Sequence, residues 1–481
     1  MKYPNLKFII SFAIFLYCNA IFAQQPDIYR VSKEQKMYEF SVVWKELSYN
    51  FANMDNCPEV NLDSLYRQYL PIITETQNDW EYCRIMQKFL CRFNNGHTYS
   101  QNPDYLYNYV AYPLFTTKNE NGKVFIDKVC KIYSNLQKDD EILKINDLTP
   151  TEYIEKFTLP YQNSSNIETK KKNAKIGFGA NPALNLDNEK FLLTIKRKKN
   201  IIENIEIPFI CHYDYQKDTI KYQQILDFYN IDRTDLEQLK NIFIADKKNN
   251  FAYIKLYACN EDFNKFYVEK YDSILNFGNL ILDLDGNFGG DGRETNTAIF
   301  TLTDKDSLRW FDLKTRINNA HYKAKAASRI YWFEPEEVTQ EDKDFYYPYF
   351  YNNAYEDVEN DFFANPFSSD VRYKGNIYVI AGENTASAAE QIALTMQQSK
   401  KVTLLGKTTC GALGQPLTIK LPSGINVFIN TSKTFNAKGQ DVSSGIKPDY
   451  QYDFSEIYKI ENPQKRLEKF IEVIKRFEVK K

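Results

Sequence analysis

Histidine is scarce: the 481-residue chain holds three, His97, His212 and His321. Any mechanism that needs an imidazole base must draw on one of them. Neither sign of charge dominates, with 61 Lys and Arg against 63 Asp and Glu, and basic runs such as Lys196 to Lys199 are short. Nucleic-acid binding as the main role is excluded on that ground. None of the 8 cysteines forms a C-x-x-C pair, so a thiolate zinc or redox site has no support. No G-x-S-x-G elbow and no H-E-x-x-H zinc-peptidase spacing occurs. Gly406-Lys407-Thr408 resembles the end of a phosphate loop, but the earlier glycine such a loop needs falls on Lys401. Beyond the N-terminus no apolar run approaches the roughly 18 residues of a membrane span, so the mature chain is expected to have no stable membrane span.

The chain is 43% hydrophobic and 26% charged, enough apolar content for packed cores, and its length suggests two or three domains. The N-terminus carries Lys2 and Lys7, the apolar run Phe8 to Tyr17, and small residues at Ala20 and Ala23. This pattern is that of a cleavable secretory signal over residues 1–23, which implies a secreted or periplasmic protein; a retained anchor is the alternative. Bulky Tyr17 before Cys18 argues against a lipoprotein. Seven cysteines then remain, at least one of them unpaired, and most read as buried apolar filler.

Residues 24–104 read as a helical region. Tyr82, Ile85, Met86, Phe89 and Phe93 form one stripe at helical spacing from about Asp79, and Asn94-Asn95-Gly96 stops it. His97 follows, on a loop at the end of a packed helix. Residues 105–215 switch to short runs, with strands expected at Val124 to Val129 and Ile201 to Ile207, a short helix opening at Thr149-Pro150, and an exposed polar loop over Gln162 to Lys175. Over 235–455 strands and helices alternate, as in an α/β core. Strands are expected at Ala252 to Leu256, Asn279 to Leu284, Asn376 to Ile380 and Val402 to Leu405, helices at Thr295 to Thr303 and Ala386 to Gln398, and a hairpin turning at Pro422-Ser423-Gly424. Residues 305–370 form an aromatic and acidic insert, and 456–481 close the chain with a helix.

Three segments could carry chemistry. Ser387 stands where a hydrophobic strand passes through a short turn into an Ala-rich helix. Unpaired N–H groups at a helix start stabilise an oxyanion and favour a nucleophile placed there. Ser387-x-x-Glu390 is equally a capping box, a common way to begin a helix. Gly286 to Gly292 is a glycine cluster after a strand, able to bring backbone N–H groups close to a ligand or to make a structural turn. Gly96-His97-Thr98 offers a base. Nucleophile, oxyanion donors and base are the parts that acyl transfer needs. The aromatic insert would also suit sugar stacking, but no paired catalytic carboxylates accompany it.

These segments together resemble the serine peptidases that include the C-terminal-processing (tail-specific) proteases and the tricorn core protease. Leu282-Asp283-Leu284-Asp285-Gly286-Asn287-Phe288-Gly289-Gly290 is similar to the family's D-x-R-x-N-x-G-G segment, and Ser387-Ala388-Ala389-Glu390 to its S-A-x-E. Gly406-Lys407-Thr408-Thr409-Cys410-Gly411 resembles G-x-x-T-x-G, and Gly445-Ile446-Lys447-Pro448-Asp449 the closing G-[IV]-x-P-D. Asp140 to Asn146 resembles the G-D-x-I-L-x-I-N segment of PDZ-like domains, and Asn95-Gly96-His97-Thr98 the D-G-H-T of tricorn-type members.

The resemblance implies a multidomain α/β protein: a helical region over 24–104, a PDZ-like domain over 105–215 and a crotonase/ClpP-like peptidase core over 235–455. It implies a serine endopeptidase that acts on peptides or unfolded proteins through an acyl-enzyme, without metal or cofactor. The catalytic lysine of the processing proteases would fall on Ala412, and Lys407 lies too early, so the tricorn-type base His97 is assigned instead. Ser387 is the nucleophile, and Gly289 or Gly290 with Ala388 form the oxyanion hole. Gly96 stands where tricorn has Ser, Asp285 replaces the usual Arg, and Val442 replaces an orienting Glu, which makes the adjacent Asp441 the candidate for that role. The alternative is a catalytically inactive peptide-binding protein on the same scaffold.

Overall fold

The stripe that ends before His97 becomes a helix because it has both a cap and a face. The computed structural model describes residues 28–176, 183–184, 190–211, 218–237, 240–317, 320–358, 362–414 and 416–478, so the signal segment and His212 lie outside the described residues. Near the N-terminus run α1 (Lys33–Asn50), α2 (Leu62–Thr74) and α3 (Asp79–Leu90). Asn78 caps α3 by accepting from the Glu81 N–H at 2.9 Å. Tyr82, Met86, Phe89 and Phe93 are fully buried, and Phe40 of α1 meets Phe89 edge-on at 4.7 Å. Asn94 then takes the left-handed conformation with φ 43°, which ends the helical path. Strand β1 (Tyr99–Gln101) follows two residues after His97.

The middle of the chain is an antiparallel five-stranded sheet of β2 (Phe115–Glu120), β3 (Lys123–Val129), β4 (Glu141–Ile145), β5 (Lys190–Lys196) and β6 (Ile202–Pro208), in that spatial order. Its buried face, including Ile126, Ile145, Leu193 and Ile207, forms a core of its own. Between β4 and β5 lies α4 (Ile167–Ile176). This corrects the expected exposed loop over Gln162 to Lys175. The segment is polar because it spends its side chains on hydrogen bonds to neighbouring loops: Ser164 and Thr169 are buried.

The rest has the α/β form. Its six-stranded sheet comprises β7 (Ile242–Asp246), β8 (Phe251–Lys255), β9 (Asn279–Asp283), β10 (Asn376–Ala381), β11 (Val402–Gly406) and β15 (Tyr450–Gln451). The pairs β8–β9, β9–β10, β10–β11 and β11–β15 are parallel, and β7 closes the edge antiparallel to β8. Helix α5 (Glu261–Ile274), α6 (Asn296–Leu302) and α9 (Ala388–Met396) share one core with the inner face of the sheet, while α10 (Pro463–Glu478) covers the other face. Both faces are covered, which is why β9 and β10 read as continuous apolar runs rather than alternating ones. The insert includes α7 (Ala320–Tyr331) and α8 (Gln340–Phe350), packed on each other through Tyr322 and Tyr349, 4.8 Å between ring centres.

Between β11 and β15 stand β12 (Pro416–Lys420), β13 (Asn426–Asn430) and β14 (Ser432–Phe435). The expected turn at 422–424 joins β12 to β13. β1 adds to this hairpin as a third, antiparallel strand, with Tyr99 opposite Phe428. Leu421, Ile425, Val427 and Ile429 enter the core of the N-terminal helices. Buried Glu39 of α1 secures the turn by accepting from the Ser423 N–H at 2.7 Å, the Ser423 hydroxyl at 2.6 Å and the Tyr82 hydroxyl at 2.8 Å. The N-terminal helices thereby grip a hairpin that comes from beyond Ser387 in the chain.

Cys57, Cys83, Cys91, Cys130, Cys259 and Cys410 are free thiols, all but Cys410 buried. Among the described residues no helix is long and apolar enough to cross a membrane, and no group of three or more His, Cys, Asp and Glu could hold a metal ion.

Candidate active site

Ser387 sits between the end of β10 and the start of α9, with φ 54° and ψ −123°. A non-glycine residue there costs about 1–3 kcal/mol, and it persists only where the surroundings dictate it. They do so from both sides. The Thr385 hydroxyl donates to the Leu284 carbonyl at 3.0 Å, and the Ala386 N–H donates to the Asn287 carbonyl at 3.0 Å. The Cys410 N–H donates to the Thr385 carbonyl at 3.0 Å. The capping box is present too: the Ser387 N–H donates to Glu390 Oε2 at 3.1 Å. The positive φ distinguishes Ser387 from an ordinary N-cap in the β region.

The glycine cluster packs directly on Ser387. A Cβ built on Gly289, whose φ is 91°, would lie 2.7 Å from Ser387 Cβ and 2.9 Å from the Ala388 nitrogen. Only glycine fits this approach. Buried Asn287 shapes the turn, donating to the Leu256 carbonyl at 3.0 Å and accepting from the Gly289 N–H at 2.9 Å. The Gly289 N–H is therefore occupied, so of the amides expected to face an oxyanion it is not free to donate. Ala388 is the first residue of α9, where an N–H has no acceptor within the helix.

Glu390 holds the opposite wall. Fully buried, it accepts from Ser387 N–H, the Thr409 hydroxyl, the Gly411 N–H at 2.8 Å and the Ala412 N–H at 2.7 Å. Burial pushes its pKa up; these donors oppose the shift. The 409–412 loop so fixed meets the loop of His97. A Cβ on Gly96 would lie 3.1 Å from Ala412 Cβ. His97 itself is partly buried, with Nδ1 buried and unpartnered. Burial lowers its pKa, while a hydrogen bond with the Gly414 backbone works the other way.

Residues 250–452 match the family model described as peptidase family S41. The α/β part of the chain is therefore similar to peptidase family S41, a family of serine-type peptidases. No curated protein matches it by sequence. Among solved structures, mature CPAF complexed with lactacystin aligns with a TM-score of 0.58 at 12% identity, covering 88% of this chain and 94% of that one. Mature CPAF alone gives 0.58 at 13% identity, with 88% and 93% covered. The tricorn protease gives 0.42 at 12% identity, with 92% and 37% covered. At such identity the likeness to CPAF is one of fold.

Within this S41-like core the other candidates are distributed as follows. Ala412 is buried against Gly96, so the space a lysine would need at that position is taken by the His97 loop. Lys407 pairs with Glu383 at 3.4 Å and Asp453 at 3.0 Å, in a cavity of about 460 Å³ at the carboxyl ends of the sheet strands. Asp285 lines that same cavity. Asp441 is exposed, accepts from the Ser443 N–H at 2.8 Å and lines a surface groove with Gln397 and Gln398. His97 Nδ1 has no partner, and the groups that shift the imidazole are its burial and the Gly414 backbone, not Asp441. The one-residue offset from Val442, which is buried, turns the Asp441 side chain outward.

Sequence reasoning missed two groups. Glu390 reads in the sequence as a cap and as the end of the S-A-x-E segment, whereas a glutamate at the third position of a helix also reaches further backbone donors. Asn163, Ser165 and Asn166 fell in the supposed loop, and no local signal marks residues whose partners lie 67 to 246 positions away.

Proposed function

We propose that this protein is a secreted or periplasmic endopeptidase in which Ser387 attacks the peptide carbonyl and His97 takes and returns the proton. The single observation that carries this reading is the positive φ of Ser387 at a strand-to-helix turn, over-determined by glycine, asparagine and glutamate contacts on both sides. A strained serine at such a turn presents its hydroxyl at the sheet's edge. The Gly290 and Ala388 amides support the oxyanion, and an acyl-enzyme is then hydrolysed by water. The ring nitrogen left without a partner, His97 Nδ1, is the one free to accept the proton. The lowered pKa keeps the imidazole neutral, the form a base requires. The five-stranded domain would act as the PDZ-like holder of an extended peptide, by strand addition at its edge. The α/β core would follow the crotonase/ClpP-like plan, with no metal or cofactor.

Treating the purified protein with a serine-directed fluorophosphonate tests this directly. Labelling should occur in the wild type and vanish in Ser387→Ala and His97→Ala. A folded wild-type protein that neither labels nor cleaves an unfolded substrate would sink the reading. It would favour the second one, an inactive peptide-binding protein, which the lack of any carboxylate on His97 among the described residues supports.

A further inference from the structure

The two halves of the site come from opposite ends of the chain, and a third segment joins them. Ser165, just before α4, accepts from the Gly96 N–H at 2.9 Å and donates to the Gly411 carbonyl at 2.6 Å. One hydroxyl thus bridges the residue before His97 to the loop held by Glu390. A hydroxyl has one donor and two lone pairs, so it can do both at once. Asn163 Nδ2 donates to the Gly96 carbonyl at 3.0 Å. Asn166 Nδ2 donates to the Thr409 carbonyl at 3.2 Å, while its Oδ1 caps α4 by accepting from the Glu168 N–H at 2.9 Å. Lys170 Nζ donates to the Cys91 carbonyl at 3.0 Å and Asn94 Oδ1 at 2.7 Å, fixing the turn that leads into His97. Thr169 reaches the Glu383 carbonyl at 3.2 Å, on the turn before Ser387.

We propose that Ser165 is a positioning residue: its hydroxyl sets the register of the His97 loop against the 409–412 loop, which Glu390 ties to the Ser387 turn. This rests on the reading of Ser387 and His97 given above. Asn163 holds the other side of the same residue, through the Gly96 carbonyl, and α4 supplies the rigid support. The titratable groups packed at this junction are Glu390 beneath Gly411, Cys410 beside Ser164, and Lys170 at the Asn94 turn. Among the described residues no carboxylate contacts the imidazole, so its environment is set by how closely the loops pack.

The experiment reads two quantities on the full chain: the fluorophosphonate labelling rate, and the titration midpoint of His97 followed by NMR of 13C-labelled histidine. With three histidines in the sequence, the His97→Ala variant identifies the resonance. In Ser165→Ala the labelling rate should fall about tenfold or more, because a misplacement of ~1 Å is enough for such a loss. The midpoint should also rise toward the ordinary value of about 6.5 as the loop admits water. Ser165→Thr, which keeps the hydroxyl, should retain both. A midpoint unchanged in Ser165→Ala overturns the proposal, whatever the rate does, since a merely structural weakening would not move it. Should Ser165→Ala fail to fold, Asn163→Ala takes its place with the same two criteria. A wild type that never labels defeats the catalytic reading instead, and the midpoint still decides whether Ser165 sets the loop.

Discussion

The Ser387 turn and the His97 loop are built in opposite ways. Strand β10, the turn and α9 lie within 21 consecutive residues, 376–396, and Ser387 is held chiefly by its own turn, the loop after β9 and Glu390. His97 is fixed by groups from four separate stretches: Asn95 and β1 beside it, β13, the 163–166 segment, and the 411–414 loop. Its neighbour Thr98 accepts from the Asn430 N–H at 3.1 Å, across 332 residues of chain. A nucleophile can be locally encoded because its strain and its helix start are properties of one turn. A base that must meet it from another region depends on long-range packing, and its geometry is the more fragile of the two.

Substitution of the two residues themselves gives the largest effect. Ser387→Ala and His97→Ala should each lower fluorophosphonate labelling and cleavage of an unfolded substrate by up to about a millionfold, the loss typical when a serine or its base is removed. Equal losses would show that the two act as a unit. His97→Ala with near-normal rates would break the comparison at its root, by moving the base elsewhere.

Glu390 serves both sides, so its loss should be felt on both. Glu390→Ala leaves three backbone N–H groups and the Thr409 hydroxyl without their acceptor. At about 1–3 kcal/mol for each unsatisfied buried group, partly relieved by relaxation, a loss of roughly 3–5 kcal/mol in urea unfolding is expected. Labelling should slow as well. A variant as stable as the wild type would mean that the 409–412 loop is held by other contacts.

Glu39 tests the remote support of His97 alone. It lies in α1, yet it fastens the β12–β13 turn to the N-terminal helices through Ser423 and Tyr82. Glu39→Ala should cost about 2–3 kcal/mol, the range for stranding a buried donor beside a hydroxyl. The labelling rate should drop by a few fold while the Ser387 turn keeps its conformation. Thermal unfolding and labelling of the same preparation check both parts.

How much of this was open to sequence reasoning follows the same division. The strand–turn–helix at Ser387, the glycine segment and the stop at Asn94 are visible because periodicity, capping residues and glycine act over a few positions. The parallel α/β core was visible as continuous apolar runs. The bridging segment at 163–172 was not, since its polarity reads as exposure until its partners are known. Nor could the sequence show that Asn287 takes up the Gly289 N–H, or that Asp441 turns away from the site. A shift of one residue on an irregular loop changes the direction of a side chain without changing the motif around it.

The smallest effect is also the most specific to the fragile side. Burial lowers the pKa of His97, and among the described residues no carboxylate counters it. An ordinary histidine is half protonated near pH 6.5. His97 should stay neutral below that, so labelling should hold steady through about pH 6.5 and fall at a lower midpoint. The same shift acts on folding. The unfolded chain takes up the proton first, so this contribution to stability is whole above about pH 6.5 and is lost as pH falls toward and through the folded value. His97→Ala should remove that part of the pH dependence of unfolding, and Ser387→Ala should leave it in place. If both variants kept it, another group would be titrating, and the His97 loop would have to be more open to water than its packing against Ala412 and Ser165 requires.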